Sequence, residues 1–366
     1  MKVVDIRNVF EKRRIQLFYV DDDFIYYAEE KLQGELSNLY ILEYNRDTRR
    51  ERLVTNYTLE DSSFVQHIFA FEETILLVLE NGSSSIWVVE LDRRSGMELS
   101  RRKLNFTGRF YECKAIDANN IIFTAAPDEK SKGFFKKYKA LTKCDTLAYI
   151  YDIEQDKKSF IRCPLISKVG CDSLFTVKTT EGNKLIILDP WGDEETKLYY
   201  FREQRWISAD IRDNIWICDL DSALLELKNG KENLTVHCVA SADIKGMVRY
   251  AAITDKKLYM KATHFKSGVE KICSYDFESK KIEALAELLP CEDNETYYVE
   301  NRTGQTYKLT IDEDKTLVES MMSDFKGKYK TAFGKFVACI ENRFIITNSD
   351  NKAIYIICLL YTSDAA

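Results

Sequence analysis

Short runs of alternating apolar and polar residues fill most of the chain, and turn-forming residues separate them. NLYILEYNRDTRRERLV, from Asn38, holds two such runs around a polar turn, and SIWVVELDRRSGMELSRRKL, from Ser85, repeats the arrangement. LAYIYDIEQDKKSFIRC, from Leu147, and KICSYDFESKKIEALAEL, from Lys271, repeat it again. A period of two around Asn, Asp, Ser, Gly or Lys predicts β-hairpins.

Another pair of runs precedes these hairpins, as in IQLFYV and DFIYYAE before the first. The unit is therefore four antiparallel strands in roughly 45–60 residues, a period typical of repeat architectures. Such units resemble the blades of β-propellers. No WD, kelch or other family signature is present, so the resemblance is to the propeller class in general and covers nearly the whole chain. We expect an all-β propeller of seven four-stranded blades, with eight as the alternative.

The predicted blades divide a single domain. Their approximate bounds are 15–58, 64–107, 109–166, 172–239, 247–289, 295–330 and 334–359. In blade four we assign NIWICDL, from Asn214, as the third strand in preference to KLYYF, from Lys197. The KLYYF assignment would leave that unit without a fourth strand and crowd the next one.

The last blade is predicted to be incomplete, because AIYIICL supplies a third strand and no fourth strand follows it. The N-terminal run KVVDIRNVF is one candidate for the missing outer strand. The other explanation is truncation, with residues 358–366 as a non-native tail that resembles translated adaptor sequence.

One segment of blade four has helical spacing. Residues 221–230 are predicted to form a short helix between the third and fourth strands, with Ser222 as its N-cap and Gly230 as its stop. Capped stretches of this period are absent from most of the chain, which excludes an all-helical fold. The leucines expected on one face of the helix are Leu220, Leu224 and Leu227.

Charge and cysteine usage favour a cytoplasmic protein. The 53 basic and 59 acidic residues give a net charge of −6, which offers no support for general binding to nucleic acid or an anionic membrane. The ten cysteines are scattered, several lie within apolar runs, and no secretion signal precedes them, so we expect buried reduced thiols. With three His and no Cys-x-x-Cys pair, neither a zinc site nor any cofactor is predicted.

Catalytic signatures are absent from the sequence. There is no phosphate-binding glycine loop, Gly-x-Ser-x-Gly or His-Glu-x-x-His. His67, His237 and His264 lie in or beside predicted strands, where structural roles are expected. A carbohydrate-active or other enzyme with a site at the central channel remains the alternative, on fold analogy alone.

Blade three carries a basic, aromatic insertion at residues 127–145 between its second and third strands. Six lysines between Asp128 and Cys144 face only two acids. Such a segment suits an acidic peptide, a phosphate or a single strand of nucleic acid. The alternative is a solvated loop whose aromatic side chains pack onto the blade. The residues that alternate are Phe134, Phe135, Lys136, Lys137, Tyr138 and Lys139.

Blade four carries a second insertion at residues 189–213. Its acids lie at the start and its arginines near the end, which fits a helix, whereas KLYYF favours a hairpin. Its aromatic residues could line a partner-binding surface, or cover the end of the blade and pair with the lysine-rich insertion next door. The candidates are Trp191, Tyr199, Tyr200, Phe201, Arg202 and Trp206.

These features predict a non-catalytic scaffold that binds an unknown protein or peptide through the loop face of blades three and four. Blade one has a shorter insertion, EKLQGELS. Long loops on a rigid scaffold are more often functional than short ones. The candidate binding residues are Phe134, Phe135, Lys136, Lys137, Tyr138, Trp191, Tyr199, Tyr200, Arg202 and Trp206.

Overall fold

The structure is a computed structural model with two compact units. Unit one comprises Met1–Asn105 and Cys291–Ala366, and unit two comprises Phe106–Pro290. The described residues are 3–5, 15–20, 23–33, 36–59, 63–81, 85–105, 107–142, 146–190, 198–200, 205–207, 215–231, 234–240, 246–254, 256–264, 269–288, 294–299, 305–312, 315–321, 326–329, 333–340, 343–348 and 354–358.

Strands dominate both units. The strands of unit one are β1 (Val3–Asp5), β2 (Ile15–Val20), β3 (Phe24–Gln33), β4 (Leu36–Asn45), β5 (Arg50–Leu59), β6 (Ser63–Ala70), β7 (Thr74–Asn81), β8 (Ser85–Asp92), β9 (Glu98–Asn105), β24 (Glu295–Val299), β25 (Thr306–Asp312), β26 (Lys315–Ser320), β27 (Lys326–Tyr329), β28 (Phe333–Ile340), β29 (Arg343–Asn348) and β30 (Ile354–Cys358).

The described residues of unit two add three α-helices to its strands. Its strands are β10 (Arg109–Ala115), β11 (Asn120–Ala126), β12 (Leu147–Asp152), β13 (Lys157–Ile161), β14 (Leu174–Thr179), β15 (Gly182–Leu188), β16 (Leu198–Tyr200), β17 (Arg205–Ile207), β18 (Ile215–Asp219), β19 (His237–Ala240), β20 (Gly246–Ile253), β21 (Lys257–His264), β22 (Glu270–Asp276) and β23 (Ile282–Leu288). Its helices are α1 (Lys132–Thr142), α2 (Pro164–Val169) and α3 (Leu220–Lys228).

Repeated four-stranded antiparallel sheets give the chain the blade arrangement of a β-propeller. Six sheets use strands that follow one another within the repeat: β2–β5, β6–β9, β10–β13, β14–β15–β18–β19, β20–β23 and β24–β27. The predicted count of seven blades is wrong, because the described strands build six blades in this way. The alternative of eight is also wrong, since the described strands leave no set for it.

A further four-stranded sheet joins the two ends of the chain, in the order β1–β30–β29–β28. β1 lies antiparallel to β30, with Val3 opposite Ile357 and Asp5 opposite Tyr355. The expectation that the N-terminal run donates the missing outer strand is confirmed, so the last sheet has four strands and is not incomplete. An outer strand donated by the other end of the chain leaves no unpaired inner ladder on β30.

Apolar faces of neighbouring sheets form the cores. In unit one a cluster joins blades one and two, with Ile41 and Ile75 fully buried. In unit two a cluster around Ile166 and Leu174 joins blades three and four, and another around Leu258 joins blades four and five. These residues come from the alternating runs that the sequence predicted as strands, because alternate side chains of a strand point to the same face.

One turn recurs between the third and fourth strands of blades one, two, three and five. Its first residue is Asn45, Asp92, Asp152 or Asp276, whose side chain accepts a hydrogen bond from the N–H three residues on. Those bonds measure 2.7, 2.6, 2.9 and 2.8 Å. An Asx side chain that mimics a backbone acceptor is a known device for closing such a turn.

The turn has two further features in each of these four blades. Its fifth residue has a positive φ: 57° at Arg49, 71° at Gly96, 49° at Asp156 and 58° at Lys280. Its second residue donates its backbone N–H to a carbonyl of the preceding strand pair, over 2.9, 2.8, 2.7 and 2.9 Å in the four blades. Each turn is therefore fastened to the opposite hairpin of its own blade.

In blade four, the residue at the corresponding position starts a helix instead of this turn. Asp219 ends β18, and its side chain accepts from the N–H of Ser222 at 2.9 Å. The predicted helix is confirmed, but its N-cap is Asp219 and not Ser222. Gly230 follows the helix with a φ of 83°, as expected of a helix stop. Leu220 and Leu227 are buried, with Leu224 packed partly against the same core.

Other predictions meet mixed outcomes. The assignment of NIWICDL as the third strand of blade four is confirmed by β18, which pairs with β15. The predicted insertion EKLQGELS of blade one is shorter than expected, because most of its residues belong to strands: β3 runs to Gln33 and β4 begins at Leu36. No helix among the described residues is long and apolar enough to span a bilayer. Among the described residues, five cysteines are buried free thiols: Cys113, Cys163, Cys171, Cys218 and Cys273.

Candidate functional site

The blade-three insertion is a helix rather than a loop. α1 begins at Lys132, after a turn in which the N–H of Ser131 donates to the Asp128 carboxylate at 2.7 Å and the N–H of Asp128 donates to the Ser131 hydroxyl at 3.0 Å. This reciprocal pair satisfies backbone donors ahead of the helix. The sequence signal was the Asp-x-x-Ser spacing before a run of good helix formers, which a purely alternating pattern search overlooks.

Phe135 anchors α1 to the blade. Its side chain is 5% exposed, and its ring atoms lie 2.9 Å from where a Cβ on Gly108 would sit. Gly108 also has a φ of 102°, so this position favours glycine on two counts. Phe135 is therefore an anchor inside the structure, and its predicted place on the binding surface is corrected.

The preceding side chain, Phe134, is accessible, with 46% of its surface exposed. Its ring meets Phe160 of β13 edge to face, with centroids 6.1 Å apart, and Phe160 meets Tyr149 of β12 in the same way at 5.8 Å. Lys158 Nζ lies 5.0 Å from the Tyr149 ring centroid, and burial lowers the pKa of this lysine. The three rings form a row with an accessible end at Phe134.

Exposed lysines lie along the same helix as Phe134. Lys132, Lys136, Lys137 and Lys139 are exposed along α1. Between Asp128 and Lys139 five lysines face two acids, a local charge of +3. Lys132 pairs with Glu129 at 2.6 Å. The side chain of Tyr138 lies outside the described residues. We call Phe134, Lys136 and Lys137 with the neighbouring exposed lysines the α1 surface.

The blade-four insertion contains a hairpin, so the helix alternative is wrong. β16 and β17 form a two-stranded antiparallel sheet, with Tyr199 opposite Trp206 and Tyr200 opposite Arg205. The side chains of Tyr199, Tyr200 and Trp206 lie outside the described residues. Three further predicted residues lie wholly outside them: Trp191, Phe201 and Arg202.

The first acid of this insertion is structural. Asp189 is 2% exposed and pairs with Lys168 of α2, with Nζ and Oδ2 2.8 Å apart. It therefore fastens the start of the insertion to the connection between blades three and four. The predicted pairing of the remaining acids with the lysines of α1 falls outside the described residues.

The first strands of the blades in unit two bear on the enzyme alternative. Among the described residues of β10, β14 and β20, Glu112 is the one carboxylate. It accepts from the backbone N–H groups of Cys171 at 2.9 Å and Asp172 at 3.3 Å, and burial raises its pKa. This carboxylate ties blade three to the turn that enters blade four, which is a structural use.

The comparisons with known proteins concern the fold. A scan against protein-family models and a search of curated proteins gave no match. Among solved structures, an uncharacterized protein of Listeria monocytogenes EGD-e is similar at 10% identity, 97% coverage of both chains and a TM-score of 0.50.

Two oligogalacturonate lyases are also similar. One, in complex with manganese, has 11% identity, 98% coverage of this chain, 91% of its own and a TM-score of 0.54. The other, from Vibrio parahaemolyticus, has 11% identity and a TM-score of 0.53, and the match covers 99% of this chain and 92% of the lyase. Likeness at this identity shows the fold alone. Within the described part of this chain, no three His, Cys, Asp or Glu side chains are grouped to hold a metal ion.

Proposed function

We propose that this propeller is a non-catalytic scaffold that binds an acidic segment of another protein through blades three and four, with the α1 surface as the main contact. The observation that carries the proposal is a rigidly anchored basic helix with an accessible aromatic side chain. The buried thiols described above support a cytoplasmic setting, where thiols remain reduced.

Anchoring gives this surface its value as a binding site. A helix of 11 residues is marginal by itself in water, but α1 is held by Phe135 and by its N-terminal turn. A surface that is already ordered loses less conformational entropy on binding than a flexible loop does. The lysines then supply charge attraction to carboxylates, and the Phe134 ring supplies apolar contact area.

A charge-reversal variant tests this proposal. Lys136→Glu/Lys137→Glu should weaken binding of a fluorescein-labelled peptide of repeating Glu-Glu-Tyr by about tenfold, measured by fluorescence anisotropy at low salt. The matched control is Lys256→Glu/Lys281→Glu, which makes the same charge change at exposed positions of blade five. Equal weakening by both pairs would mean that net charge alone acts, and no weakening by the first pair would exclude this surface.

An enzyme with a central-channel site is the second candidate. Its support is the fold shared with the lyases, and the structural bonds of Glu112 do not add to it. We therefore favour the scaffold.

A further inference from the structure

A second group of accessible apolar side chains lies in unit one, whereas every predicted site residue belongs to unit two. Leu53 is 50% exposed, Met97 67% and Leu99 55%. They are three of the eight large apolar side chains that are exposed in the described part of the chain. Clustered exposed apolar side chains mark interaction sites more often than scattered ones do.

Two contacts bring these side chains to one place. Gly96, in the turn between β8 and β9, lies directly against the Val54 carbonyl and Thr55 of β5. Arg52 donates from Nη1 to the carbonyl of Arg94 at 2.7 Å. The turn of blade two therefore lies on the outer strand of blade one, next to Leu53.

Arginines dominate the surroundings. Exposed basic residues outnumber the nearby exposed acids Asp47, Glu51 and Glu98. The basic residues are Arg49, Arg50, Arg52, Arg94, Arg101 and Lys103. We call these residues with the three apolar side chains the arginine surface.

Several of these cations are held in place. Arg52 pairs with Glu43 at 3.0 Å, and this guanidinium has a raised pKa because of the bond to Glu43. Arg101 donates to the Tyr57 hydroxyl. Lys103 Nζ lies 5.6 Å from the Trp87 ring centroid. Arg52 and Arg101 are therefore already engaged with Glu43 and Glu98, so contact with the carboxylates of a partner falls to Arg49, Arg50 and Arg94.

We propose that the arginine surface is a second docking site, and that its occupant is a segment of a partner protein that carries carboxylates and leucine-like side chains. The guanidinium fork matches a carboxylate in two parallel hydrogen bonds, and arginine and methionine are enriched at protein interfaces. Charge complementarity thus selects the acidic residues, and Leu53, Met97 and Leu99 supply the apolar contact. The arginine surface shares no residue with the α1 surface.

The test uses the full chain with Lys136→Glu/Lys137→Glu, so that the α1 surface does not contribute. In that background, a fluorescein-labelled peptide of repeating Glu-Glu-Leu should bind, as followed by fluorescence anisotropy. Adding Arg50→Glu/Arg94→Glu, or Met97→Ser/Leu99→Ser, should weaken binding by about tenfold each. Circular dichroism melting curves confirm that each variant is folded.

Two results would overturn the proposal. One is equal affinity for the peptide with and without the added substitutions. The other is binding to phosphatidylserine vesicles, in a sedimentation assay, by a chain that does not bind the peptide. The second result would assign the same side chains to an anionic membrane, because exposed apolar and basic residues together also suit a lipid surface.

Discussion

The anchor of α1 is the contact that we expect to matter most for the candidate site. Replacing a buried Phe by Ala typically costs about 3–5 kcal/mol, from lost apolar burial and the cavity that remains. Phe135 is 5% exposed, so we take about 3 kcal/mol for Phe135→Ala. The loss should appear as local undocking of α1, because the blade keeps its own core.

Hydrogen–deuterium exchange of the amides of residues 132–142 measures this loss. About 3 kcal/mol corresponds to a fall in protection of roughly a hundredfold. Gly108→Ala should act in the same direction, because its new Cβ would lie 2.9 Å from the Phe135 ring. The control is Phe134→Ala, which removes a half-exposed ring and should cost about 1 kcal/mol or less. Unchanged exchange in α1 of Phe135→Ala would refute the anchoring role.

Three further predictions concern the turns and helices. Gly96→Ala should destabilise unit one by more than about 1 kcal/mol in urea unfolding, because φ is 71° and the added Cβ would collide with the carbonyl of Val54. Its counterpart is Gly133→Ala, inside α1 with open space around it, which should stabilise that helix by about 0.5–1 kcal/mol. Lys280→Gly should stabilise blade five by up to about 1 kcal/mol, since φ is 58° there; a lower urea midpoint would contradict this. Asp219→Ala should cost α3 about 1 kcal/mol by removing its cap. Lys184 and Ser222 lower the pKa of Asp219 to about 2, so its stabilising contribution is complete above its ordinary pKa and is lost as pH falls towards 2. Asp219→Asn should remove that part of the acid sensitivity, and an unchanged acid profile would argue against it.

The blades could be predicted from sequence because strand periodicity and Asx turns are local signals. Asn45, Asp92, Asp152 and Asp276 each stand at the same point of a repeated unit and make the same bond. Non-local pairing was harder to predict. The placement of β1 beside β30 depends on residues 350 to 354 positions apart, and no local propensity specifies it.

The candidate site was predicted less well than the fold. Composition located the basic aromatic segment, but it did not separate Phe134 from Phe135, since burial of one ring depends on the space left by Gly108. The arginine surface was missed for a similar reason. Its residues lie in two segments, and a long-range contact between Gly96 and Val54 brings them together.

The most direct test of the scaffold role is a footprint of the bound peptide on the full chain. Hydrogen–deuterium exchange is measured with and without the Glu-Glu-Tyr peptide at saturating concentration. We predict added protection in residues 132–139, on the α1 surface. Protection confined to other parts of the chain, or none at saturation, would contradict the proposed function.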